Sequence, residues 1–181
     1  MKVVPTAIPE VLIIEPLVFG DSRGFFFESF NQRAFSQAVG QDVQFLQDNH
    51  SRSAHGVLRG LHYQLLRPQG KLVRVVRGAV FDVAVDIRRS SPTFGRWTGA
   101  MLTEDNCRQM WIPPGFAHGF LVTSESADFL YKTTDYYAPE HERCIIWNDA
   151  ELAIEWPVPM GLQLSEKDAM GCSFAAAEKY V

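Results

Sequence analysis

The 181-residue chain is long enough for one domain with a sizeable core and short appended arms. Its 46% hydrophobic and 21% charged residues are ordinary for a globular protein, and a net charge of -4 gives no reason to expect a surface for nucleic acid or an anionic membrane. A local basic pocket for a small anion is still compatible with that balance. The N-terminus has no signal-peptide layout, because Pro5, Pro9 and Glu10 interrupt its apolar residues, and no run approaches transmembrane length. Cys107, Cys144 and Cys172 are widely spaced and odd in number, which fits neither a disulfide framework nor a zinc site and makes a reducing cytoplasm the expected setting.

In chain order, residues 11–15 read as a short apolar strand closed by Pro16, residues 19–24 as a turn, and residues 25–30 as a strand. Asn31 is placed to cap a helix from Gln32 to Val39, with Gly40 as its stop. Strands are then expected near 43–48, 57–65, 71–77, 79–87, 95–102, 109–112, 118–123, 127–136 and 144–147. The run 80–87 alternates, with Phe81, Val83, Val85 and Ile87 facing one way and Asp82 and Asp86 the other. Helical character returns only after Asn148-Asp149. Many short strands with Gly and Pro turns and little helix predict an all-β, antiparallel sandwich or barrel. The expected organisation is a single domain over 1–181, with a barrel core roughly 43–148, an N-terminal strand/helix arm 1–42 and a C-terminal tail 149–181.

The chemistry centres on Leu58-Arg59-Gly60-Leu61-His62-Tyr63-Gln64, followed by Gln69-Gly70-Lys71. An imidazole on a rigid strand facing an enclosed space is placed to abstract a proton, with an arginine to hold an anion and a lysine to stabilise developing negative charge. Arg59 and His62 differ in strand parity, so both reach one cavity only if the strand twists or bulges, and Gly60 is where a bulge fits. A second signal, Pro114-Gly115-Phe116-Ala117-His118, resembles the second motif of the cupin superfamily of small jelly-roll barrels. The metal-binding cupins use a His-x-His pair and a glutamate; here His62-Tyr63-Gln64 stands in the first motif and no glutamate follows it. A metal-dependent isomerase or oxygenase using His62, Gln64 and His118 is the competing enzyme reading, and a sugar-nucleotide-binding barrel without chemistry is the non-enzymatic one.

Six stretches together resemble the dTDP-4-dehydrorhamnose 3,5-epimerase family: 47–51 (Gln-Asp-Asn-His-Ser), 59–64, 114–120, 131–137 (Tyr-Lys-Thr-Thr-Asp-Tyr-Tyr), 146–149 (Ile-Trp-Asn-Asp) and 164–168 (Leu-Ser-Glu-Lys-Asp). The resemblance implies a metal-free cupin barrel, usually a homodimer, acting without a cofactor on a nucleotide-linked 4-keto-6-deoxy sugar. It implies His62 as base, Asp168 as the carboxylate orienting it, Tyr131 as acid on the other face of the sugar, and Lys71 as stabiliser of the enolate oxygen. It also assigns substrate contacts to Arg23, Glu28, Gln47, Asn49, Arg59, His118, Glu142 and Lys167, with Asp48 acting through its backbone and Tyr137 stacking on the thymine. Without the family pattern, Lys71 reads as a turn lysine, Asp168 as a helix-capping residue behind Ser165, and Tyr131 as an ordinary strand aromatic.

Overall fold

The computed structural model describes residues 1–158 and 160–181. Strands β1 (Lys2–Pro5) and β2 (Leu12–Glu15) pair with each other, and β3 (Phe19–Asp21) and β4 (Gly24–Phe26) make a separate two-stranded ribbon. Helix α1 (Gln32–Val39) follows, then β5 (Gln47–Ala54), β6 (Leu58–Gln64), β7 (Lys71–Arg77) and β8 (Ala79–Asp86). The remaining elements are β9 (Trp97–Thr103), β10 (Gln109–Ile112), β11 (Phe116–Val122), β12 (Ser126–Thr133), β13 (Glu142–Cys144) and a four-residue helix α2 (Glu166–Ala169). A six-stranded sheet, β1-β2-β10-β7-β12-β5, faces a five-stranded sheet, β13-β6-β11-β8-β9, and the pairings in both are antiparallel. Among the described residues no helix is long and apolar enough to cross a membrane.

Three apolar clusters hold these layers. The barrel interior joins Val73, Val75 and Phe129 of one sheet to Val80, Phe116 and Phe120 of the other. Outside the five-stranded sheet, Leu58, Leu61, Val83 and Val85 are covered by the tail residues Leu152, Trp156 and Phe174. Outside the six-stranded sheet, Phe35 of α1 packs on Ile14, Leu72 and Trp111. The alternation in β8 therefore sorts two buried faces. Val83, Val85 and Ile87 enter the tail-covered cluster, whereas Asp82 and Asp86 are fully buried too.

α1 forms as expected, with Asn31 Oδ1 accepting from Ala34 N at 3.1 Å and Gly40 left-handed at φ 72°. Other boundaries move. The strand expected over 25–30 ends at Phe26, and the one expected from 43 begins at Gln47, because Phe30, Val43 and Phe45 turn inward onto the α1 cluster instead of extending the ladder. β1 and β2, within the segment expected as an arm, are two strands of the six-stranded sheet. Among the described residues the tail is not helical beyond α2: they run as an irregular strap joined to the barrel by bridges at Gln163, Cys172 and Tyr180. Asp149 secures it, accepting from Leu152 N on one oxygen and Phe174 N on the other. Tertiary burial of its scattered large apolar residues replaces helical periodicity there.

Candidate active site

The site begins with an irregularity in β6. Opposite β11, His62 pairs with His118 but Arg59 pairs with Phe120, so β6 carries one extra residue between them. Gly60 fills that bulge at φ +129°, where an added Cβ would come within 2.5 Å of Gly119 Cα. No other residue type fits so close a backbone approach. The bulge reverses the parity after Arg59, leaving Leu58, Leu61 and Tyr63 on the tail-covered side. Arg59 and His62 thus share the interior side, as the sequence required of a bulge.

His62 Nε2 lies 2.6 Å from Asp168 Oδ1, with the imidazole about a quarter exposed and the carboxylate 4% exposed. The oxygen stands off the line of the ring N–H, so this is a close contact without hydrogen-bond alignment. Asp168 is held independently: Gly60 N donates to Oδ1 at 3.2 Å and Ser165 Oγ donates to Oδ2 at 2.6 Å. Ser165 also caps α2 by accepting from Asp168 N. Capping and pairing, alternatives in the sequence, are both true here. Burial opposes ionisation of Asp168, but the contacts with His62, Ser165 and Gly60 outweigh it and bring its pKa down to about 2.

Lys71 starts β7 on the opposite sheet and is buried, its Nζ 3.4 Å from the carbonyl of His62. Burial pushes its ammonium down to about 8, against the pull of Asp82 and Glu142. Tyr131 lies on the inner side of β12, beside Phe129 at 6.0 Å between ring centres, and burial raises its phenol although Arg59 opposes this. Arg59 is steadied by Ser53 Oγ, which accepts from its Nε and Nη2 at 3.1 and 3.0 Å. His118 is largely buried, with Nε2 2.9 Å from the fully buried Asp82 and its ring stacked near Phe129. Burial depresses the His118 pKa against Asp82's opposing pull.

A polar rim adjoins this interior. Glu142 takes Lys167 at 2.6 Å on one oxygen and the Tyr137 hydroxyl at 2.7 Å on the other. That hydrogen bond raises the Tyr137 phenol to about 12, and Glu142 is held below its ordinary value despite burial, chiefly by Lys167. Gln47 joins the same rim, accepting from Tyr137 N and donating to Asn49 Oδ1, both at 2.9 Å.

Three expected residues lie elsewhere. Asp48 alternates with Gln47 and Asn49, and its carboxylate pairs with Lys132 at 3.1 Å on the outer side of the six-stranded sheet. Arg23 sits at the tip of the β3–β4 ribbon, 88% exposed and paired only with Asp21 among the described residues. Glu28 accepts from Asn31 near α1 and lines an outer cavity with Phe26 and Leu72. Within one chain the six-stranded sheet stands between these last two and His62. Conversely, sequence reasoning did not single out Asp82 or Ser53 for this site. The Asp82 alternation in β8 was a usable signal, because a carboxylate on an inward face needs a partner.

The family model for dTDP-4-dehydrorhamnose 3,5-epimerase matches residues 5–176. The chain belongs to the dTDP-4-dehydrorhamnose 3,5-epimerase family. It is 66% identical over 178 residues to the dTDP-4-dehydrorhamnose 3,5-epimerase of Pseudomonas aeruginosa, covering 98% of each chain. It also matches the crystal structure of the Legionella pneumophila dTDP-6-deoxy-D-glucose-3,5-epimerase in complex with dTDP-4-keto-L-rhamnose, at 54% identity and TM-score 0.96, covering 98% of this chain and 94% of that one. A more distant likeness, 34% identical with TM-score 0.89, is to a 3'-monoepimerase from Streptomyces bikiniensis in complex with dTDP-quinovose, covering 94% of this chain and 87% of that one. The expected cupin-type jelly-roll barrel is the fold this epimerase-family chain adopts.

Proposed function

We infer that the chain is a dTDP-4-dehydrorhamnose 3,5-epimerase, inverting carbons 3 and 5 of dTDP-4-keto-6-deoxyglucose on the way to dTDP-L-rhamnose. The observation that carries the site assignment is the His62–Asp168 contact of 2.6 Å on one barrel wall, with the half-buried Tyr131 on the other. A ketone at carbon 4 acidifies the hydrogens on both neighbours, since the carbanion left behind delocalises onto oxygen. Inversion then needs a base on one face and an acid on the other, and the exchange requires no oxidant or reductant.

With Nε2 turned to Asp168, His62 takes the carbon-bound proton on Nδ1. Asp168, anionic above a pH of about 2, stabilises the imidazolium that results. Lys71 supplies positive charge to the enolate oxygen. Tyr131, kept protonated by burial, donates to the opposite face. Arg59 and Lys167 suit the diphosphate, Gln47, Asn49, His118 and Glu142 the remaining polar groups, and Tyr137 the flat face of the base.

The test is incubation with dTDP-4-keto-6-deoxyglucose in heavy water containing chelator. Deuterium is expected at both carbons, with incorporation almost lost in His62→Ala. Incorporation at one carbon only would make the chain a single-carbon epimerase, and a metal requirement would move it to the metal cupins.

We also propose that the working form is a homodimer. Phe25 and Phe26 on the ribbon are 69% and 70% exposed, an apolar surface that a second copy can cover. A dimer also lets Arg23 and Glu28 serve the mouth of the partner's barrel, which they do not reach in their own chain. Mixing inactive Arg23→Ala and His62→Ala chains should then restore about a quarter of wild-type activity, one intact site in each mixed dimer. No restoration would place both residues in one chain's site. A reducing cytoplasm suits the three free thiols.

A further inference from the structure

Cys144 has no part in the chemistry above, yet it lies against the centre of it. It is the cross-strand partner of His62 in the β13–β6 pairing. One ligand atom each from His62, Cys144 and Asp168 lies within 4.8 Å of the other two. The three come from separate elements, β6, β13 and α2, so the cluster is not a run of neighbours along one chain segment. We propose that His62, Cys144 and Asp168 form a binding site for a soft divalent cation, Zn²⁺ or Cd²⁺, that inhibits the enzyme by occupying its base.

One imidazole, one thiolate and one carboxylate make a three-ligand set that leaves a fourth position for water, the pattern of an open tetrahedral zinc site. The sulfur selects soft or borderline ions over Mg²⁺ and Ca²⁺, which prefer all-oxygen ligation. Tetrahedral bonds of about 2.0–2.3 Å need ligand separations of about 3.5 Å. The cluster reaches this if the sulfur closes in and the 2.6 Å His62–Asp168 contact opens. Binding forms a metal–sulfur bond and releases the thiol proton to solvent. The neighbouring cation Lys167 is already paired with Glu142 at 2.6 Å, which offsets its repulsion of an incoming ion. A metal on His62 and Asp168 withdraws the carboxylate that orients the ring and takes the ring's electron pair. The inhibitory half of this proposal rests on the reading of His62 as the base.

That sign is opposite to the one a metal-dependent cupin would show. There a chelator abolishes turnover; here it restores it. The experiment uses the full chain freed of metal by chelator, and titrates Co²⁺ by absorption and Zn²⁺ by activity. The wild type should show a thiolate-to-cobalt charge-transfer band, which Cys144→Ser loses and Cys172→Ser keeps. Zn²⁺ should suppress wild-type turnover, with recovery on adding chelator. Cys144→Ser should match wild-type turnover without metal and need more than about tenfold more Zn²⁺ for the same inhibition. Absence of the band in the wild type, its survival in Cys144→Ser, or equal inhibition of the two proteins by the same Zn²⁺ would overturn the site. An intact band in a chain that is inactive even without metal would overturn the epimerase reading and leave the cation site standing. A band without inhibition would overturn the inhibitory role and the assignment of His62 as base.

Discussion

His62 and His118 are direct partners across β6 and β11, and each has an aspartate against its Nε2. Their surroundings separate them. His118 and Asp82 are both buried, the imidazole ring stacked near Phe129, and burial keeps the ring neutral. His62 is about a quarter exposed, and its carboxylate is fixed by Ser165 and Gly60 independently of the ring. A proton acceptor needs a route to its substrate and somewhere for the new charge to go. The His62 pair has both, whereas the His118 pair is largely buried and leaves no place for a new charge. Identical residue types are thus placed in an open and a closed setting, and the open one suits His62 to the base role proposed for it.

The largest effect that bears on this contrast is catalytic. His62→Ala should lower turnover by about 10²–10⁴, and Asp168→Asn by a similar order through loss of ring orientation. Asp82→Asn in a folded protein should cost far less, and an equal loss in steady-state assays would erase the distinction. Stability should rank the pairs the other way. Asp82→Ala leaves a buried neutral imidazole without its partner and should cost about 3 kcal/mol in urea denaturation, the upper end for an unpaired buried polar group. Asp168→Ala, whose histidine reaches solvent, should cost about 1–3 kcal/mol.

Smaller pH effects sharpen the picture. The Asp168 carboxyl has a folded pKa of about 2, below the unfolded value of about 3.9. Its contribution to stability is therefore complete above the unfolded value and lost as pH falls through the folded one. Asp168→Asn should flatten that part of an acid-unfolding curve. On the alkaline side, Lys71 loses its charge above about 8. Turnover should decline there if the ammonium stabilises the enolate, and Lys71→Arg should move the decline to higher pH.

Local patterns in the chain foretold much of this. The α1 cap and stop, the limits of β7 and β10, and the alternation of β8 were legible because capping chemistry and strand alternation are short-range. The bulge was legible as a need, since Arg59 and His62 could share a cavity only if Gly60 broke the parity. The helical character expected of the tail is confined to α2 because the rest takes its structure from what it covers, with Leu152, Trp156 and Phe174 seated on the five-stranded sheet at no regular spacing.

What the residues determined by themselves was the β architecture, the family and the set of groups able to do keto-sugar chemistry. Only the folded barrel decided which histidine is open and which is largely buried. It turned Asp48 outward, left Arg23 and Glu28 beyond the six-stranded sheet, and brought Cys144 against His62 and Asp168. The reason is physical: side-chain identity and spacing are local, whereas burial and cross-strand proximity are set by elements far apart in the chain.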